Sequence, residues 1–331
     1  MPTTVSVALC TYNGARFVGE QLGSILEQTR TPDELIVSDD GSSDGTIAVV
    51  EATLAAGTAR PVAGALRYVA RVNDAPLGVT KNFERAVTAC TSELVALSDQ
   101  DDVWRRDRLE RLVGEFDADS RLMLLHTDAR LVGEQGAPLG MTLFAALEIT
   151  DEERALELGG KGFDALLRRN LATGATVVFR RELLERALPF PAEWVHDEWL
   201  AIIAAATGRI TVVAEPTIDY RQHGANQIGV NAPTLRHKMR RVLGPRGDRN
   251  ASLARKFTVL ADRLDELGDM VSAEDRQNAR RKAEFEAFRH ALPTRRLRRI
   301  RVVLRADRAG LYARYASRGR ADVIRDLLQP A

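Results

Sequence analysis

Three short apolar runs in the first hundred residues each break off into a cluster of polar side chains, and this pattern constrains the fold more than any other feature of the chain. Val5-Ser-Val-Ala-Leu-Cys10 ends in Thr11-Tyr12-Asn13-Gly14, Glu34-Leu-Ile-Val-Ser38 in Asp39-Asp40-Gly41-Ser42-Ser43-Asp44-Gly45, and Leu94-Val-Ala-Leu97 leads to Asp99-Gln100-Asp101-Asp102. Runs this short and rich in β-formers read as buried strands. Between them Phe17, Leu22, Ile25 and Leu26 recur at helical spacing, 46–56 and 81–89 read as helices, and 66–70 reads as a further strand. Such alternation with short connections predicts an α/β fold, a mainly parallel sheet with helices on both faces. Ligands bind such sheets at the carboxyl ends of the strands. The three polar clusters are therefore expected on one edge.

Farther along, 122–125, 176–179 and 210–213 read as strands, and 163–170 and 197–206 as helices. The stretch 143–162, with its acids and Gly159-Gly160 pair, reads as a mobile excursion. From about Leu235 the chain becomes Arg-rich and helical in pattern, and 289–320 holds eleven arginines against one acid, Asp307. The expected organisation is a domain over 1–230, with a nucleotide-binding half (1–118) and an acceptor-binding half (119–230), then a helical basic region over 231–331. Net charge is only +1, so a charge-driven partner must meet a local patch. The two cysteines, Cys10 and Cys90, have no metal-ligand spacing and read as core residues of a reducing compartment. The N-terminus lacks the basic and apolar regions of a signal peptide. No stretch reaches the ~18 apolar residues of a membrane span. A cytoplasmic location is expected, with peripheral contact at the inner face of the membrane.

Three carboxylates in Asp99-Gln100-Asp101-Asp102 repel one another. A hard divalent cation such as Mg²⁺ or Mn²⁺ relieves that repulsion and keeps positions open for substrate phosphates. The plainer reading is a solvated acidic turn with Asp102 capping the next helix. In Asp39-Asp40-Gly41, one carboxylate can accept a hydrogen bond from a base N–H such as N3–H of uracil or thymine, while the glycine admits a ligand close to the backbone. Asp44 or Thr46 as a helix cap accounts for the rest of that turn.

Taken together, Val5 to Asn13, Gln28-Thr29, Leu35-Ile-Val-Ser-Asp-Asp-Gly-Ser-Ser-Asp-Gly-Thr46 and Leu97-Ser-Asp-Gln-Asp-Asp-Val-Trp104 resemble the family 2 glycosyltransferases of GT-A fold, over roughly residues 4–225. The resemblance implies roles at matching positions. Thr11, Tyr12 and Asn13 lie where first-strand residues touch the nucleotide. Asp40 matches the carboxylate that reads the pyrimidine, and Asn73 a nucleotide-side contact. Asp99 and Asp101 match the Asp-x-Asp motif, Asp101 as metal ligand and Asp99 on the ribose side. Asp197 of His196-Asp197-Glu198-Trp199 matches the catalytic base that opens the helix below the acceptor, with Glu198 as its competitor. A helix cap is the plainer reading of Asp197. Tyr220-Arg-Gln-His-Gly-Ala-Asn226 resembles a segment of rhamnosyltransferase-like polysaccharide enzymes, in which Arg221 would meet the diphosphate and His223 the metal. Gly174-Ala-Thr176 resembles a loop lining the donor sugar.

The implied reaction is metal-dependent (Mn²⁺ or Mg²⁺) transfer of a sugar, rhamnose being one candidate, from a UDP or dTDP donor to a hydroxyl of a growing cell-surface polysaccharide or glycolipid, with inversion. The implied partners are that donor and a glycan or lipid-linked glycan. Arg295-Arg-Leu-Arg-Arg-Ile-Arg-Val-Val-Leu304 mixes arginines with apolar residues as an interfacial helix does, which favours an anionic membrane over a merely solvated helical face. Nucleic acid is not expected, because recognised modules and interleaved aromatics are missing. Two alternatives remain at this point. Val95 to Asp102 superficially resembles the Asp-x-Asp strand of a haloacid-dehalogenase-like Mg²⁺-dependent phosphatase, although three βα units precede it. A nucleotide-sugar-binding protein without turnover would keep the same clusters. No Gly-x-Gly-x-x-Gly follows any strand, which removes a nicotinamide dehydrogenase.

Overall fold

In the computed structural model, which describes residues 2–57, 66–224 and 248–329, the first half of the chain alternates strand and helix. The order is β1 (Val5–Thr11), α1 (Val18–Leu26), β2 (Glu34–Asp39), α2 (Thr46–Gly57), β3 (Arg67–Val72), α3 (Val79–Ala89), β4 (Leu94–Ser98), β5 (Val103–Trp104) and α4 (Arg108–Ala118). There follow β6 (Leu122–Gly133), β7 (Pro138–Thr142), α5 (Leu143–Ala146), α6 (Asp151–Leu158), α7 (Gly162–Arg168), β8 (Val178–Arg180), α8 (Leu184–Ala187), α9 (His196–Thr207) and β9 (Arg209–Gln222). The C-terminal helices are α10 (Arg249–Glu266), α11 (Ala273–His290), α12 (Arg296–Arg308), α13 (Leu311–Tyr315) and α14 (Arg320–Leu328).

One sheet runs in the order β3-β2-β1-β4-β8-β6-β9-β5, with β7 on β6. β1, β2, β3 and β4 are mutually parallel, β8 runs antiparallel between β4 and β6, and β9 is parallel to β6. The near-continuous apolar composition of β1, β2 and β4 follows from this placement: all three are buried along their whole length, as strands covered on both faces must be. β3 is the exposed edge and carries Arg67 and Arg71, charges that discourage pairing with another sheet. Because two antiparallel steps separate β4 from β6, the carboxyl ends of β1, β2, β4, β6 and β9 share one edge. β5 pairs Val103 with Asp219 and so lays the segment after the acidic cluster alongside the end of β9.

Several expectations change. β6 and β9 are twelve and fourteen residues long rather than four. Arg221 lies within β9, beyond the four residues expected of that strand. The stretch 143–162 forms two helices, and α6 begins with a full capping box in which Thr150 and Glu153 exchange side-chain and backbone hydrogen bonds. Asn226 and Leu235 lie outside the described residues.

The chain divides into two compact units, 1–162 with 171–230, and 163–170 with 231–331. α7, read in sequence as part of the first domain, thus groups with the C-terminal helices. Both cysteines are buried and unpaired, and burial pushes both thiols up, Cys90 to about 12.

Candidate active site

The loop after β2 is built on its first aspartate. Asp39 is fully buried and accepts from Thr11 Oγ1 (2.6 Å), Ser42 Oγ (2.6 Å) and Ser42 N (2.8 Å), so Thr11 and Asp39 serve the turn. Asp40 accepts from Asn73 Nδ2 (2.7 Å), Leu77 N (2.7 Å) and Gly78 N (2.9 Å). Asn73 is itself buried, donates also to Asn82 Oδ1 (3.2 Å) and accepts from Arg85. It therefore orients Asp40. Asn82, on α3, was not read from the sequence; its amide donates to Ser38 O (2.9 Å) and accepts from Ser38 Oγ (2.7 Å), tying α3 to the end of β2.

The loop after β1 turns on Asn13, whose φ of 47° is left-handed, a conformation Asn tolerates better than most residues. Asn13 Oδ1 accepts from Ser43 N (2.9 Å), which links the first polar cluster to the second. Tyr12 is 40% exposed. Its backbone is gripped by Gln100 of the third cluster: Tyr12 N donates to Oε1 (2.8 Å), and Nε2 donates to Tyr12 O (3.1 Å). Gly14 leaves the space this amide occupies, since a Cβ there would collide with Gln100 Oε1. Sequence reasoning overlooked Gln100 as the silent middle of Asp-x-Asp.

The acidic cluster lies just beyond β4. Burial, followed by the charges of Asp101 and Asp197, pushes the Asp99 carboxyl up to about 8. Burial, then Asp101 and Asp99, likewise hold Asp102 well above the usual carboxylate range. Asp102 is no helix cap. The next helix starts at Arg108, and Asp102 Oδ1 instead accepts from Arg221 N (3.0 Å), while its buried Oδ2 finds no hydrogen-bond partner among the described residues. Asp101 Oδ2 meets His223 Nε2 at 2.7 Å. His223 is held by stacking on Phe17, with ring centroids 4.7 Å apart. The guanidinium of Arg221 donates from Nε to Asp101 O (2.7 Å), from Nη1 to Glu134 O (2.8 Å) and from Nη2 to Glu20 Oε2 (2.6 Å). With each nitrogen engaged by protein, Arg221 braces the cluster. Tyr220 sits among these groups; burial, then Asp99, Asp102, Asp101 and Asp197, push its phenol up, so it stays protonated.

Asp197 lies in the first turn of α9, with Val195 rather than Asp197 at the cap position. It is 8% exposed, and its oxygens accept from Gly174 N (2.9 Å) and Glu198 N (2.7 Å). Gly174 is needed for this approach, since a Cβ there would stand 2.9 Å from His196 Nε2 and 3.6 Å from Asp197 Cβ. His196 is buried, stacks on Phe83 at 3.9 Å, and neither ring nitrogen has a hydrogen-bond partner among the described residues. Burial lowers its pKa to about 3, so it is neutral. The structure thus gathers Asp99, Asp101, Asp102 and Asp197 closely enough for their charges to act on one another or on Tyr220.

The sheet order and helical cover are those of a GT-A fold, with carboxylates just after β4 and on α9 at its carboxyl edge. The family model described as glycosyl transferase family 2 matches residues 6–185, and the chain belongs to that family. Membership of that family removes the phosphatase reading. The dTDP-rhamnosyl transferase RfbG of Shigella flexneri is 25% identical over 67% of this chain and 74% of its own length. An uncharacterized glycosyltransferase of Nostoc is 27% identical over 67% of this chain, and the match spans 66% of that protein, leaving about a third of it uncovered. Among solved structures, residues 1–349 of S. aureus TarS in complex with UDP-GlcNAc align over 98% of this chain and 90% of that one, with a TM-score of 0.55 and 19% identity, a likeness of fold.

Proposed function

We propose that this chain transfers a sugar from a UDP or dTDP donor to a hydroxyl of a growing polysaccharide or lipid-linked glycan, with inversion and with help from Mn²⁺ or Mg²⁺. The observation that carries this reading is the placement of Asp99 and Asp101 just after β4 beside Asp197 in the first turn of α9, with the charges of Asp101 and Asp197 both reaching Asp99. The resemblance to a dTDP-rhamnosyl transferase favours rhamnose and dTDP among the donors.

The donor set suits a hard cation. Asp101 and His223 present one carboxylate and one imidazole side by side, and the buried Oδ2 of Asp102 lacks a partner among the described residues. No three His, Cys, Asp or Glu side chains among the described residues form a closed cage. This fits an ion held by one or two protein ligands and completed by substrate phosphates. Asp101, with His223, would hold it, and the ion would neutralise charge on the departing diphosphate. Thr11 through Asp39, Asn13 through Ser42 and Ser43, and Asn73 through Asp40 shape the nucleotide side, with Tyr12 offering its ring, Asp40 the base-reading oxygen and Asp99 the ribose contact.

Asp197 takes the acceptor proton as that oxygen bonds to the anomeric carbon and the bond to the diphosphate breaks on the opposite side. The bond from Glu198 N orients this carboxylate, which supports Asp197 over Glu198 as the base. No helix among the described residues is long and apolar enough to cross a membrane. Screening nucleotide sugars for Mn²⁺-dependent release of UDP or dTDP, with the anomeric configuration of the product read by NMR, tests the proposal. Retention would sink the single displacement, and binding without release would leave a sugar-nucleotide-binding protein.

A further inference from the structure

The arginines of the C-terminal helices fall into two groups. Arg289 and Arg299 are fully buried. Arg289 donates to both oxygens of Asp326 (2.7 and 3.2 Å), and Arg299 donates to the carbonyls of Asp326 (3.0 Å), Gln329 (2.9 Å) and Thr294 (2.9 Å). These two knit α11, α12 and α14 together and are not available to a partner. On α12 the others, Arg296, Arg298, Arg301, Arg305 and Arg308, are exposed.

The same helix has two faces. It buries Arg299, Val303 and Ala306, spaced four and seven residues apart and so on one side. An adjoining outward side carries Leu297 at 84% exposure, Ile300 at 40% and Leu304 at 37%, spaced three and seven residues apart, and Val302 is exposed apart from them. Arg301, Arg305 and Arg308 flank this stripe. A core-directed helix hides its leucines and shows its charges. This one shows four large aliphatic side chains outward, three of them in one stripe, among cations, with Asp307 its only acid and only half-buried.

We propose that this outward face of α12 docks the protein on an anionic lipid bilayer, with Leu297, Ile300 and Leu304 entering the acyl boundary and Arg301, Arg305 and Arg308 pairing with lipid phosphates. The arginines supply charge complementarity to an anionic surface, and the aliphatic stripe supplies the apolar area that nucleic acid would not use. The inference rests on the lipid-linked acceptor for its purpose, since docking keeps the enzyme on the surface that holds such an acceptor.

The test uses the full chain and unilamellar phosphatidylcholine vesicles with or without phosphatidylglycerol, read by co-sedimentation. Wild type should bind the anionic vesicles, and binding should weaken as salt is raised. Leu297→Asp with Leu304→Asp, and separately Arg301→Glu with Arg305→Glu, should each lower the bound fraction about tenfold or more. Circular dichroism should stay unchanged, because none of these side chains is buried. Binding equal to wild type in both variants overturns the proposal. So does a wild-type dimer that the leucine variant makes monomeric with vesicle binding intact, which would assign the face to a second copy. Duplex DNA binding that is lost in the arginine variant and kept in the leucine variant, without vesicle binding, overturns it in favour of nucleic acid. Sugar transfer to a soluble acceptor should stay within about twofold in both variants, since docking and chemistry are separate. Absence of transfer in wild type would count against the transferase reading and leave the vesicle result standing.

Discussion

Among the described residues, a cluster of buried charge in one compact unit and a cluster in the other are built on opposite plans. Among the C-terminal helices, Lys282 pairs with Glu286 (2.7 Å), Arg289 with Asp326 (2.7 Å) and Glu286 (3.2 Å), and Arg325 with Asp322 (2.8 Å). Burial opposes the Arg289 cation, yet Asp326, Glu286 and Asp322 hold its pKa well above the ordinary value. At the end of β4 burial and neighbours push the same way: both raise Asp99, and the neighbours are carboxylates. A cluster that balances its own charge serves the fold. One that keeps an excess of a single sign in a buried place is poised for a ligand of the other sign.

The sharpest way to break this contrast is to neutralise one carboxylate in each cluster. Asp197→Asn should lower turnover by about 10²–10⁴-fold, the usual share of a positioned general base, with donor affinity kept. Its melting temperature should change little, because losing a charge that like-charged neighbours oppose offsets the one backbone hydrogen bond that the amide nitrogen cannot accept. Steady-state kinetics beside donor titration calorimetry check this. Asp326→Asn should do the reverse. It accepts from Arg289 and from Tyr312 Oη (2.7 Å) at a fully buried position, and breaking such a network costs about 3–5 kcal/mol. Scanning calorimetry should show an earlier transition, with little change in kcat for protein that remains folded.

A smaller effect is expected at His196, a buried titratable group that belongs to neither plan. Its folded pKa lies near 3, below the unfolded value of about 6.5. The stability tied to its neutral form is therefore complete above pH ~6.5 and is lost as pH falls toward 3, by at most about 1.4 kcal/mol per unit. His196→Leu removes the titration, and no hydrogen bond to a described residue is lost with the ring. Urea midpoints of this variant should fall less steeply between pH 6 and 4 than those of wild type; parallel curves would show that His196 is not buried neutral.

Much of this contrast could be read in the chain, and the rest had physical reasons to stay hidden. β1, β2 and β4 announce themselves because a strand buried on both faces must be almost wholly apolar. The far halves of β6 and β9 do not. Asp128, Arg130 and Pro216 interrupt the local pattern, and those strands continue only because they pair with each other through irregular register. That misreading also displaced Arg221. The capping box of α6 was present as Thr150-x-x-Glu153 but was outweighed by the surrounding acids and glycines. Aspartates with chemistry were legible as crowded like charges. Gln100, Asn82 and Tyr220 were not, since a neutral side chain declares its role only through a partner distant in sequence. The buried arginines of the C-terminal helices failed for the same reason: Arg299 is satisfied by carbonyls, which carry no sequence signature.

Gln100 offers the finest test, because it is the neutral member of the unbalanced cluster. Its amide joins the acidic loop to Tyr12 through two backbone hydrogen bonds, each worth about 0.5–1.5 kcal/mol. Gln100→Ala should raise the donor KM by about tenfold while changing kcat by less than about threefold, since it loosens the nucleotide-side loop without touching Asp101 or Asp197. Gly14→Ala pushes the same amide aside from the opposite direction and should reproduce the change in KM. Gln100→Glu keeps an acceptor for Tyr12 N but sets a carboxylate against Tyr12 O and adds a negative charge beside Asp99 and Asp101. If the excess negative charge at the end of β4 is what draws the cation, this variant alone should need less Mn²⁺ for half-maximal rate. An unchanged Mn²⁺ requirement would mean that the excess charge at the end of β4 is not what binds the cation, and the contrast between the two clusters would lose its functional half.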